Sequence, residues 1–145
     1  MENSLQDCRP GFLITVSLSG KSLTCTEDEI HIEGRKDTCV RVSGPSRVID
    51  NKEYFLLRYG YIQEGGRGGI EEEFAEALLR GETSNPGRVG GFFSIFFLNK
   101  LNGECIVFSD RVGTYKVFFQ RTASELRFAS TYSVLVEGAS TEIDP

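Results

Sequence analysis

The sequence is poor in the residues that build metal and catalytic centres. It holds a single histidine, His31, and four cysteines, Cys8, Cys25, Cys39 and Cys105, with no C-x-x-C pair among them. A tetrahedral zinc site needs four such ligands at short spacing, so no metal is assigned. A Cys–His catalytic pair could draw only on His31, which alternates with Glu29 and Glu33 on what reads as a solvent-facing strand surface. Lys and Arg never cluster and the net charge is −5, which argues against a nucleic-acid partner. The longest apolar run, Phe92 to Leu98, is interrupted by Ser94 and is far short of the ~20 residues that a membrane helix requires. No hydrophobic signal segment precedes Cys8, so the expectation is a cytoplasmic domain whose cysteines are free thiols in a reducing compartment.

What is present suits one packed domain. A chain of 145 residues can bury roughly 68–70% of its unfolded surface, and 11 Phe and 5 Tyr supply a core. The expected domain spans residues 1–138. Residues 139–145 are small and polar and read as the start of a linker. Alternation of Phe12, Ile14, Val16 and Leu18 predicts a first strand over Gly11–Ser19, with one face buried. Glu29–Gly34 and Thr38–Val42 form a predicted hairpin, with Ile30 and Ile32 on its inner face, and Arg47–Ile49 and Glu53–Ile62 follow. Gly65–Gly69 has too few side chains to pack and reads as a loop. Beyond it, Ile70, Phe74, Ala77 and Leu78 form one stripe of a helix that carries Glu71, Glu72 and Glu73 in its first turn and Gly81 as its stop. After the Thr83–Gly90 loop, four strands read as a meander: Gly91–Leu98, Glu104–Asp110, Tyr115–Arg121 and Leu126–Ala129. The class is α+β.

From Gly91 to Val136 the chain resembles the amidotransferase domain of asparagine synthetases and their relatives, the class II (N-terminal nucleophile) glutamine amidotransferases. Gly91-Phe92-Phe93-Ser94-Ile95 resembles the family's G-x-F-A-F strand, Asp110-Arg111-Val112-Gly113 its R-D-R-x-G turn, Lys116–Phe119 its P-L-Y-Y segment, and Leu126–Ser130 with Val134-Leu135 its L-x-F-A-S-E and A-L-L motifs. Asp110, Arg111 and Gly113 also have a plain structural reading, as a tight turn in which Asp110 accepts turn amides. Upstream, Tyr59-Gly60-Tyr61-Ile62 occupies the place of N-G-E-I, and Arg47-Val48-Ile49-Asp50 that of R-L-x-I-I-D. The resemblance implies an Ntn-hydrolase-type four-layer α/β/β/α sandwich with two antiparallel sheets.

The same resemblance implies that glutamine hydrolysis is lost. Active members attack with an N-terminal cysteine whose own α-amine, near pKa ~8, serves as base. This sequence opens Met1-Glu2-Asn3, and Cys8 could be exposed only by removal of seven residues. The asparagine that would line the oxyanion hole with the next glycine N–H is Tyr59, and loss of one such donor typically costs ~10²–10³ in rate. Arg47 stands where the family holds the glutamine carboxylate, and Glu71 is the candidate for its amino group.

No catalytic residue is therefore expected, and Arg47, Tyr59, Gly60 and Glu71 form a relict substrate pocket. The implied role is a non-catalytic scaffold for a C-terminal ATP-pyrophosphatase domain, in cis or as a separate subunit, in an amide-forming enzyme. ATP and Mg would belong to that absent domain. A homodimer is a further expectation. Two alternatives stay open: a stand-alone module that binds an amino-acid-like or peptide ligand near Tyr59, Gly60 and Arg47, and a glutaminase activated by exposure of Cys8.

Overall fold

The computed structural model describes residues 11–63, 69–82, 90–110, 113–132 and 135. Cys8, most of the Gly65–Gly69 loop, nearly all of the Thr83–Gly90 loop, Arg111, Val134 and the tail after 138 lie outside the described residues. The strands are β1 (Gly11–Ser17), β2 (Ile30–Ile32), β3 (Arg35–Ser43), β4 (Ser46–Asp50), β5 (Tyr54–Gln63), β6 (Gly90–Asn99), β7 (Cys105–Ser109), β8 (Phe118–Arg121) and β9 (Glu125–Ala129), with α1 (Ile70–Leu79) between β5 and β6. The protein is α+β and mostly strand, with two antiparallel sheets. Among the described residues, no helix is long and apolar enough to cross a membrane.

The chain folds as two compact units, Pro45–Lys116 and a second made of Met1–Gly44 with Val117–Pro145. In the first, a four-stranded sheet runs β4-β5-β6-β7. Its register aligns Leu56 with Phe97 and Arg58 with Ile95, so residues 54, 56, 58, 93, 95 and 97 share one face. On that face Tyr54, Leu56, Phe93, Ile95 and Phe97 pack with Phe74 and Ala75 of α1. The helix ends as its sequence predicts: the Gly81 amide donates to the Leu78 carbonyl at 3.0 Å and the Glu82 amide to Ala77 at 3.0 Å, with Gly81 at φ +79°. That is the paired closure of the last carbonyls that glycine permits.

The second unit holds a five-stranded sheet ordered β2-β3-β1-β9-β8. Here three expectations are corrected. The four C-terminal strands are no meander: β6 pairs with β7 in one sheet, while β8 pairs with β9 in the other. Asp110 ends the first pair because its side chain turns back into the sheet, as described below. Second, β1 is buried on both faces from Phe12 to Ser17, with Leu13 on the alternate face packed against Ala129, Leu135 and Phe118, while Leu18 is 40% exposed. Third, Ile30 is 66% exposed, because the β2–β3 register shifts between His31 and Ile32 and separates the two isoleucines from a common face.

The cysteine expectation fails for two of the four. Cys25 and Cys39 form a disulfide with a Cα separation of 5.8 Å, while Cys105 is in no disulfide. Sequence spacing alone could not pair residues 14 apart. Folding does so, by laying segment 23–26 beside β3, where the Leu23 amide donates to the Lys36 carbonyl at 2.8 Å.

Candidate functional site

Arg47 on β4 and Arg58 on β5 are directly opposed, so both side chains project from the face that α1 covers. The first turn of α1 brings Glu71 onto them. Its Oε2 accepts from Arg47 Nη1 at 2.8 Å, and its Oε1 lies 3.1 Å from Arg58 Nε, close enough for an ion pair but not aligned for a hydrogen bond. Glu71 is 1% exposed. An ionised carboxylate so deeply buried is tolerated only when paired, and two guanidiniums supply that pairing. Glu72, half-exposed, accepts from Arg47 Nη1 and Nη2. The hydrogen bond from Arg47 holds the Glu72 carboxyl below its usual range, and the same contact raises Arg47.

Arg47 and Glu71, expected to hold the α-carboxylate and the α-amino group of a glutamine, thus hold each other. Arg58 was not legible as a partner, although its place opposite Arg47 follows once the register of the hairpin is known.

Tyr59 is not part of this group. It is one residue along β5 from Arg58 and so projects from the opposite face. It is 4% exposed and meets the Tyr115 ring edge-on, with centroids 5.5 Å apart. Burial pushes its phenol above the ordinary tyrosine range, with the nearby Tyr115 and Tyr61 hydroxyls adding to the shift.

Gly60 shows why no side chain is allowed beside it. Its φ is +99°, and a Cβ would lie 2.2 Å from the Phe92 carbonyl oxygen and 2.8 Å from the Tyr115 ring. Its amide, the group that the resemblance places in an oxyanion hole, donates to the Pro45 carbonyl at 2.8 Å. Its own carbonyl accepts from Arg58. Both polar groups of Gly60 are committed.

Asp110 is 6% exposed and ties the end of β7 to β6. Its Oδ2 accepts from the Phe93 amide at 2.9 Å, and its Oδ1 from the amides of Gly113 at 2.8 Å and Thr114 at 3.2 Å. Gly113 has φ +70°, the left-handed conformation that this turn needs and glycine adopts without strain. These contacts account for the residues structurally. Arg111 lies outside the described residues.

The structure also gathers groups in the other unit that sequence spacing did not. The ligand atoms of Cys25, His31 and Cys39 lie within 4.8 Å of one another. The disulfide uses both sulfurs, and His31 Nε2 lies 2.7 Å from the Leu23 carbonyl, which it meets as a donor. In this oxidised form the cluster offers no thiolate to a metal. Beside it, a cavity of about 430 Å³ opens on the face of the five-stranded sheet that carries Thr15, Cys39 and Arg127. Compared with models of protein families, with curated proteins and with solved structures, the chain matches none of them.

Proposed function

We propose that this chain is a non-catalytic domain of the glutamine-amidotransferase type that serves as scaffold for an ATP-pyrophosphatase domain of an amide-forming enzyme. The observation that carries the reading is that Arg47 and Glu71, the groups assigned to the α-carboxylate and α-amino group of glutamine, neutralise each other against Arg58. A substrate would have to displace Arg47 from the buried Glu71 carboxylate before it could bind. The Gly60 amide is spent on Pro45 in the same way. The four-layer α/β/β/α arrangement of that family is part of the proposal, and two antiparallel sheets with a helix on one of them are consistent with it. ATP and Mg, in this reading, act in the partner domain.

Two measurements test it. The purified chain incubated with glutamine should release no ammonia in a glutamate dehydrogenase-coupled assay, and turnover that disappears in Cys8→Ala would overturn the non-catalytic part. The gene's reading frame after Pro145 tests the scaffold part: an S-G-G-x-D-S adenine-nucleotide loop there supports it, and a stop codon favours a stand-alone binding module.

A further inference from the structure

Across the five-stranded sheet, His31, Cys39, Thr15, Arg127 and Gln120 stand side by side, one from each strand, in a single register row. Cross-strand partners share a face, so this is a polar row in the middle of a sheet, where apolar residues would be the usual choice. The cavity lies over its middle three, Cys39, Thr15 and Arg127. Its volume of about 430 Å³ falls within the ~300–1,000 Å³ of sites that take small molecules.

Among the described residues, two charges in its wall have no ion-pair partner. Arg127 is 8% exposed, yet among the described residues no carboxylate pairs with it. Nη1 donates to the Leu135 carbonyl at 2.8 Å, and Nε is fully buried with no partner. A guanidinium removed from water without an anion is costly. Glu125 precedes it by two residues on β9, hence on the same face and about 7 Å along the strand, and lines the same cavity. Among the described residues no ion pair joins it to Arg127 or to any other cation. The cavity's other charged groups are already engaged: Arg41 pairs with Asp28 at 3.3 Å, and Glu29 accepts from the Thr26 amide at 2.9 Å. Leu13 and Leu23 give the wall an apolar part.

We infer that this cavity binds a free α-amino acid, its carboxylate on the Arg127 guanidinium, its ammonium on the Glu125 carboxylate and its side chain against Leu13 and Leu23. A zwitterion supplies both missing counter-charges in one molecule. With Nη1 held by Leu135 and Nε buried, Nη2 is the Arg127 nitrogen left for the carboxylate, and Thr15 adds a hydroxyl beside it. The Cys25–Cys39 disulfide fixes the Leu23–Thr26 wall to β3. The site belongs to the other unit from the Arg47–Glu71 pair and does not depend on the scaffold reading.

Titration calorimetry of the full, disulfide-intact chain against the twenty L-amino acids tests it. At least one should bind saturably at one site per chain. Its N-acetyl derivative should bind about tenfold more weakly or worse, because a charge-assisted hydrogen bond is lost. Glu125→Gln should weaken the amino acid by a similar factor and leave the N-acetyl derivative unchanged. Arg127→Gln should abolish both. Absence of binding up to millimolar concentration overturns the inference, as does equal affinity for the N-acetyl derivative, which would mark a simple anion site. If Arg127→Gln fails to fold by circular dichroism, the Glu125 variant and the derivative still decide.

Discussion

Arg47 and Arg58 face each other directly across β4 and β5, and the buried Glu71 carboxylate lies between them. Like charges directly opposed on neighbouring strands destabilise a sheet. The helix supplies the anion that makes this pair stable, so α1 is fastened to its sheet by charge as well as by Phe74 and Ala75. Glu71→Ala should therefore cost about 3 kcal/mol, since it leaves the mostly buried Arg58 without its anion while Arg47 keeps Glu72. Glu72→Ala, at a half-exposed carboxylate, should cost about 1 kcal/mol or less. Urea denaturation of the two variants measures the contrast, and equal midpoints would show that Glu71 does not bridge.

The glycines predict a second contrast. Gly60→Ala places a Cβ 2.2 Å from a backbone oxygen, so neither side can yield, and the variant should lose about 3 kcal/mol or fail to fold. Gly113→Ala has open space around its Cβ and should lose only the ~1–2 kcal/mol of a left-handed backbone. Thermal unfolding separates them, and comparable losses would refute the steric account of Gly60.

Asp110→Ala removes the acceptor of three backbone amides at once. Of the three only the Phe93 amide is buried, since Thr114 is exposed and the Gly113 amide keeps the Asp110 carbonyl; a buried donor left without a partner costs ~1–3 kcal/mol, and a loss of that order is expected. The Phe93 amide should also exchange its hydrogen faster, with little change at Leu56. Unchanged exchange at Phe93 would contradict the tie between β7 and β6.

Reduction of the Cys25–Cys39 bridge should destabilise its unit by about 3 kcal/mol, the loop-closure value for a separation near 15 residues. Peptide mapping under non-reducing conditions should recover the two cysteines in one linked fragment. Both sites alkylated without prior reduction would rule the bridge out.

Stability should also fall in acid. The hydrogen bond from Arg35 holds Asp37 below the usual carboxylate range, that from Thr26 lowers Asp28, and that from Arg47 lowers Glu72. A carboxyl lowered in the folded state binds its proton more readily when unfolded. Its contribution is thus full above the unfolded value and is lost as pH drops through the folded one. Urea midpoints should be level above about pH 5 and decline below about pH 4.5. Asp37→Asn should make that decline shallower, and an unchanged slope would remove Asp37 from the cause.

Local pattern determined much of this protein. The stripe Ile70, Phe74, Ala77 and Leu78 with its acidic start fixes α1, because helical periodicity and the backbone dipole act within a few residues. Gly81 and Gly113 mark their turns because only a residue without Cβ takes those angles freely. Strand positions followed from runs of Phe, Ile and Val. Which strand lies beside which did not: β8 and β9 look like a continuation of β6 and β7, and only the long-range pairing of β1 with β9 moves them to the other sheet. The site depends on that kind of decision. Arg47 meets Glu71 across 24 residues and Cys25 meets Cys39 across 14, while Thr15 stands beside Arg127 only because β1 pairs with β9. Charges and thiols act over a few ångströms, and a chain brings such groups together only by closing loops whose geometry no short stretch of sequence encodes.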